Sequence, residues 1–310
     1  MQNTIEINKK IHHQIHSKLK NINEQSRNYI QDVIVLINKK IGIDNVLSII
    51  LFGSQIPLNN KVENSIISDC DLLIILKDTV SQKCIIEIKK YLIAMEIKHK
   101  FREFNSSFCK KILGVIQQST GMFISHFLTK KKYWDLGSFH KIFSVNKVFS
   151  KLLAPKKIVL GSVVDNSNKL YGLDLRENIK KKVEIPSFEM VKSIIMNLII
   201  SIFSTVLSPL KSLNSIKYQL EAVKWALRAS NFYSFEDSKS LEITINRFIQ
   251  FERSSGYKRR AKIFYKRFLS LRKNPFQDIG FMLRCPFRIL KIHIKGILFK
   301  KILKKSRENC

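Results

Sequence analysis

The chain has 310 residues and a mass of 36.2 kDa, enough for two modest domains or one large one with a full hydrophobic core. Hydrophobic residues make up 45% and charged residues 25% of it, which excludes a wholly disordered protein. Fifty-five Lys and Arg against 24 Asp and Glu leave a formal charge of +31, suited to polyanions such as nucleic acid, nucleotide phosphates or an anionic membrane face. A Lys-, Ile- and Asn-rich chain is also what an AT-rich genome encodes, so part of the excess needs no ligand. Its distribution is uneven. Residues 251–310 hold 18 Lys/Arg and 3 Asp/Glu.

Residues 4–41 read as helix, with Ile30, Val33, Ile34, Ile37 and Ile41 at helical spacing and Gly42 as a stop. The short apolar run Val46–Phe52, ended by Gly53-Ser54, reads as a buried strand. A polar stretch from Pro57 to Glu63 precedes a second strand, Cys70–Leu76. Residues 81–100 are helical, with Ile85, Ile88, Leu92 and Met95 on one face; 121–128 and 157–164 are the next strand candidates. Beyond Pro186 the strand signals fade. Helices are expected over 187–206, 213–230 and 238–251, with breaks at Pro209 and around Asn231–Ser234. From Arg253 onward apolar groups interleave with cations, and Leu290–Lys295 alternates with a strand period between flanks closer to helical.

Eighteen uncharged residues, Ser193–Leu210, approach the length of a membrane span. Asn197, Ser201, Ser204, Thr205 and Ser208 form a polar stripe along them, which favours a buried bundle helix. The five cysteines (70, 84, 109, 285 and 310) show no metal-binding spacing, and residues 1–6 lack signal-peptide character. Together these favour a reducing, cytoplasmic setting.

Chemistry concentrates in Leu51-Phe52-Gly53-Ser54, a 14-residue spacer, and Asp69-Cys70-Asp71-Leu72. Residues two apart on a strand share a face, so Asp69 and Asp71 would present two carboxylates together. Such a pair repels unless a cation neutralises it, and a hard divalent ion such as Mg²⁺ also takes phosphate oxygens. Gly53-Ser54 offers a tight turn with backbone N–H groups and a hydroxyl to cradle phosphate. A phosphate cradle beside a carboxylate pair has the parts for metal-assisted nucleotidyl transfer.

The motif Phe52-Gly53-Ser54 followed by Ser68-Asp69-Cys70-Asp71-Leu72 resembles the signature of the DNA polymerase β-type nucleotidyltransferase superfamily, in particular its small stand-alone and antibiotic nucleotidyltransferases. The resemblance is carried by about residues 45–77. It implies transfer of a nucleoside monophosphate from an NTP to an acceptor hydroxyl, with Mg²⁺ in a two-metal site and release of pyrophosphate. By the same resemblance Gly53, Ser54 and Ser68 bind the nucleotide, and Asp69 and Asp71 hold the metal. The family places a third carboxylate on a later strand. Neither 121–128 nor 157–164 contains one, and Asp165, just after the second, is assigned that role.

Lys224 and Arg228, four apart on a predicted helix, face the same way and are candidates for reaching phosphate from a closing helical domain. His126 is expected as a packed core histidine. His12, His13 and His16 read as a solvated helix face. The chain is thus expected to be α+β, with a nucleotidyltransferase domain containing a small mixed sheet (1–183), an α-helical domain (184–252) and a basic C-terminal extension (253–310). The acceptor stays open among a small molecule, a protein and RNA. The alternative is a catalytically inactive nucleotidyltransferase fold that binds RNA or a protein partner. Residues 253–305, with nine aromatics between 251 and 310, suit either nucleic acid or an anionic membrane, which leaves peripheral membrane association open.

Overall fold

Seven residues of Val46–Phe52 (β1) are apolar apart from Ser48, and all but Leu47 are buried. In the computed structural model, which describes residues 15, 17–56, 70–102, 124–180, 185–209, 214–252 and 254–308, this strand is central to a four-stranded sheet of order β3-β2-β1-β4. Strand β2 (Asp71–Leu76) pairs antiparallel with β1, and β3 (His126–Lys130) pairs parallel with β2. Strand β4 (Ser167–Gly172) lies antiparallel on the other side of β1. The fold is α+β with a small mixed sheet and a large helical C-terminal part.

Helix α1 (Glu24–Ile41) starts where Asn23 accepts a hydrogen bond from Ser26 N at 2.7 Å, and it ends at Gly42, with φ +76°. The chain turns at residues 20–22, so the single helix expected over 4–41 is interrupted there; residues 1–14 and 16 lie outside the described ones. Helix α2 (Gln82–Lys98) is capped by Ser81, which accepts from Cys84 N at 3.2 Å. One core joins Ile30 and Val33 of α1, Ile85, Ile88 and Leu92 of α2, and Ile49, Leu51, Leu72 and Ile74 of the sheet. Alternation turns Phe127 away from these helices. It meets Phe143 at 5.2 Å between ring centroids, beside α3 (Lys131–Asp135) and α4 (Phe139–Ile142). Trp134, fully buried, donates to Leu175 O at 2.9 Å.

The expected strand over 157–164 is not a strand. After α5 (Lys147–Leu152), residues Lys156–Asp165 form helix α6, and the strand lies just beyond it at Ser167–Gly172. Pro155 precedes the first turn of α6, and Ile158 packs against Met190 and Phe232. That packing, with too few residues to separate strand from helix by pattern, overrides the β-branched composition. A short α7 (Glu177–Lys180) follows β4.

Described residues up to 150, together with 166–180, make one compact unit; 151–165 and 185–308 make the second. The second unit contains α8 (Ser187–Val206), α9 (Ser215–Phe235), α10 (Leu241–Gln250), α11 (Ser255–Lys273) and α12 (Ile279–Glu308). The expected break at Asn231–Ser234 falls inside α9, and the strand-like alternation at Leu290–Lys295 falls inside α12. Both are overridden because α9 to α12 share one core, built on Leu220, Val223, Phe248, Phe268 and Ile289 among others.

A polar chain runs through this bundle. His293 Nε2 lies 3.1 Å from Asn197 Nδ2, and its Nδ1 lies 3.0 Å from Tyr233 Oη and 3.2 Å from Ser230 Oγ. Burial lowers its basicity from the usual 6.5 to about 3. Between those values the unfolded chain binds a proton that the folded chain does not, so stability is full above pH 6.5 and falls on acidification. Over pH 7 to 5 the wild type should lose about 2 kcal/mol more than His293→Gln, as read from urea midpoints. Parallel losses in both proteins would contradict this.

Candidate functional site

Strand β1 runs toward the Gly53 corner and β2 runs away from it, so antiparallel pairing sets Phe52 opposite Asp71. On its other side Phe52 is the register partner of Ser167, the first residue of β4. Three strand ends thus meet at one end of the sheet. Residues Gly53–Gln55 leave β1 in a single 3₁₀ turn.

Gly53 has φ +85°, a left-handed conformation that glycine adopts without strain. A Cβ there would overlap Asp71 Oδ2 and lie 3.2 Å from Asp71 Cγ. The carboxylate of Asp71 therefore occupies the space a side chain at position 53 would need. Asn166, one residue before β4, donates from Nδ2 to Gly53 O at 3.3 Å. Asn23 Nδ2, at the start of α1, donates to Gln55 Oε1 at 2.9 Å and holds the far end of the turn. Arg176 steadies the β4 side by donating to Ser167 O at 2.5 Å and to Asp174 Oδ1 at 2.7 Å. That Arg176 guanidinium holds the Asp174 carboxyl down at about 2.

Of the residues assigned from sequence, the structure brings together Gly53, the backbone of Ser54, and Asp71. Ser68 and Asp69 lie outside the described residues. Asp165 is the last residue of α6, in the second unit, where its carboxylate accepts from Ser238 N at 2.6 Å. It does not follow a strand, as had been expected of it. Lys224, on α9, forms an ion pair with Glu221, which also accepts from Arg272 at 3.2 Å and from Trp225 Nε1 at 3.2 Å. Burial works to raise the Glu221 carboxyl, but Lys224 and Arg272 hold it below its usual value. Lys224 is thus engaged in an ion cluster within the bundle. Arg228 lies one turn further along the same helix and contributes to that field.

The start of β3 stands beside Asp71, because Leu72 N donates to Ser125 O at 2.9 Å. No carboxylate occurs among residues 124–130. His126 is a buried core histidine as expected, with Nδ1 2.7 Å from Glu96 Oε1. Glu96, fully buried on α2, also accepts from Ser125 N at 2.8 Å and from Arg102 at 3.3 Å. Sequence reasoning missed it, although Glu96 follows Leu92 by four residues on the buried stripe of α2, where a charge is unusual. The residue before β4, Asn166, carried no signal because β4 itself was not anticipated.

A cation-rich cleft of about 410 Å³ lies at the opposite end of the sheet, where Lys130 ends β3. Lys89, Lys141 and Lys147 also line it, with no carboxylate among its lining residues. Burial, reinforced by Lys141, pushes the Lys89 ammonium below its usual value.

No family model matches the chain, and no curated protein matches it. Among solved structures it is similar to the crystal structure of spectinomycin adenyltransferase AAD(9) from Enterococcus faecialis with ATP and spectinomycin. The identity is 10%, the match covers 87% of this chain and 98% of that one, and the TM-score is 0.45. A likeness at that level carries nothing about substrate or mechanism.

Gly53→Ala forces the new Cβ into the Asp71 carboxylate from a strained backbone. It should destabilise the protein by about 1–3 kcal/mol in thermal unfolding, whereas Gly137→Ala should cost less. Gly137 has φ +59° with no atom within 4 Å of its Cβ position, so equal losses would show that Asp71 does not set the cost at Gly53.

Proposed function

We propose that the chain is a nucleotidyltransferase that moves a nucleoside monophosphate from an NTP to an acceptor hydroxyl and releases pyrophosphate. The reading is supported by one observation above the rest: the Asp71 carboxylate fills the side-chain space of Gly53, at the corner where β1 delivers Gly53-Ser54. The absence of a side chain at position 53 lets the Asp71 carboxylate close on the backbone that carries the Gly53 and Ser54 N–H groups. That is a donor and acceptor set for a triphosphate with its counter-ion.

In this reading the turn Gly53–Ser54 binds the β- and γ-phosphates and orients the α-phosphate toward the acceptor. The acceptor hydroxyl gives up its proton to solvent as its oxygen forms the new bond to the α-phosphorus; the bond to the bridging oxygen breaks, and its electron pair leaves with pyrophosphate. Asp69 and Asp71 would hold Mg²⁺, which supplies charge neutralisation at the phosphate oxygens. Carboxylate oxygens are the hard donors that such an ion takes, and Asp71 already stands at the corner. Ser68 is assigned to the nucleotide beside them. Asp165, Lys224 and Arg228 have less support, because Asp165 accepts from Ser238 and Lys224 is engaged with Glu221.

A second reading, a catalytically inactive fold that binds its ligand, is favoured by the start of β3, which offers Ser125 and His126 where a third carboxylate would stand beside Asp71. One experiment separates the two. Wild type is incubated with each NTP, Mg²⁺ and a panel of hydroxyl acceptors, and pyrophosphate is assayed alongside NTP binding by calorimetry. Catalysis predicts Mg²⁺-dependent pyrophosphate release that the Asp69→Ala/Asp71→Ala protein lacks. Equal release by both proteins overturns the assignment. Mg²⁺-dependent binding without turnover selects the second reading.

A further inference from the structure

Helix α8 is turned inside out relative to a helix that faces water. Its polar residues Ser193, Asn197, Ser201 and Ser204 are buried, each at most 4% exposed. Asn197 meets His293 of α12, Ser201 Oγ accepts from Gln219 of α9, and Thr205 Oγ1 donates to Met282 O of α12 at 3.3 Å. Its outer side carries Val191, Ile195, Ile199, Ile202, Phe203 and Val206, between 42% and 68% exposed. The helix is also long and apolar enough to cross a membrane by length and composition.

Helix α12 also carries an exposed apolar row, although its buried side is apolar apart from His293. The contacts Asn197–His293 and Thr205–Met282 run in opposite sequence directions, so α8 and α12 pack antiparallel. Leu283, Phe287, Leu290, Ile294, Leu298 and Ile302 recur every three or four residues along α12 and are 40–78% exposed. Over 19 residues this stripe extends roughly 28 Å. Monomeric soluble proteins rarely leave contiguous apolar faces of that extent uncovered.

The charge around α12 indicates what covers it. Ile279–Glu308 holds nine Lys and Arg and one acidic residue. Arg284, Lys301 and Lys305 are exposed beside stripe residues Leu283, Phe287 and Ile302. An apolar row flanked by long cationic side chains matches an anionic bilayer surface, where the row enters the acyl boundary and the cations reach headgroup phosphates. Nucleic acid matches less well. The α8 stripe is mostly aliphatic, and Ser193–Val206 contains no charge, so phosphates and base edges offer it no apolar phase. A second copy would bring another +31 chain against the first.

We propose that the outer faces of α8 and α12 form a docking surface for an anionic membrane, with the chain bound at the interface and not spanning the bilayer. This surface belongs to the second unit and does not depend on the nucleotidyl-transfer reading.

The test uses full-length protein with vesicles of phosphatidylcholine, alone or mixed with phosphatidylglycerol. Co-sedimentation should occur with the mixed vesicles and be only partly reversed by high salt, since salt screens the cations but not the apolar contact. The variant Ile202→Ser/Phe203→Ser/Leu283→Ser/Phe287→Ser, with circular dichroism and a thermal midpoint like wild type, should bind more than about tenfold more weakly. Arg284→Gln/Lys301→Gln/Lys305→Gln should weaken binding to the mixed vesicles only. Should the apolar variant fail to fold, Phe287→Trp keeps the test open, because its emission should shift to the blue on addition of mixed vesicles. Any of four results overturns the proposal: no vesicle binding, unchanged binding by the folded apolar variant, protein that resists extraction by both salt and alkali as a spanning helix does, or a stable dimer that the apolar variant abolishes in the absence of lipid.

Discussion

The antiparallel pairing of Phe52 with Asp71 is the constraint on which the rest of the first unit depends. Because β1 ends where β2 begins, the turn leaving β1 must pass directly over the first side chain of β2. That side chain is a carboxylate, half-buried, and it fills the space beside Gly53. Glycine is required twice over, by the positive φ and by the missing volume. The neighbouring contacts follow from the same crossing: Asn166 can reach Gly53 O only because β4 pairs with the same end of β1, and Asn23 both caps α1 and secures Gln55. Register, capping and site geometry are one arrangement.

Much of this was legible because the signals are local. Val46–Phe52, the glycine ending it, the Cys70–Leu76 run and the buried stripe of α2 each carry a period that a short stretch of chain displays unaided. Strand β4 was not legible, because Ser167-Asn168-Lys169-Leu170-Tyr171-Gly172 is an edge strand with only Ser167 and Leu170 buried. It has no apolar run to mark it. What specifies it is a contact far away in sequence, for Gly172 passes so close to Leu47 that a Cβ would lie 2.9 Å from the Leu47 carbonyl carbon. The Ile158–Val164 run had the reverse problem, since β-branched residues suggested a strand while packing against Met190 and Phe232 selected a helix. Of the corner itself, Gly53, Ser54 and Asp71 belong to a motif that a short stretch of chain displays. The surrounding groups Asn166 and Glu96 were not legible, because they act on Gly53 and Ser125 across long stretches of chain, and Arg176 was not, because the strand it braces was itself unmarked.

Helix α8 inverts the usual distribution of polarity, and the hydrogen bonds that its buried side chains make explain how that can be stable. Burying Asn197, Gln219, Ser230 and His293 is costly unless each finds a partner. Here they bond to one another, to Tyr233 and to Ser201 across three helices. A polar interior of that kind fixes which helices meet and at what level, but it contributes less apolar burial than an aliphatic core would. Apolar side chains displaced from the interior of α8 must then lie outside, where their stability depends on what surrounds them.

Part of the excess of positive charge arises in the same bundle. Glu221 faces Lys224 and Arg272, and Glu252 faces Arg288, Lys291 and Lys295. One buried carboxylate for two or three cations leaves each cluster net positive, so the field of α11 and α12 originates partly within the packing and not only at the surface. A mobile counter-ion can offset such a field anywhere. An anionic layer at α12 would offset it while also taking up the apolar stripe. Charge and apolar exposure thus converge on one helix.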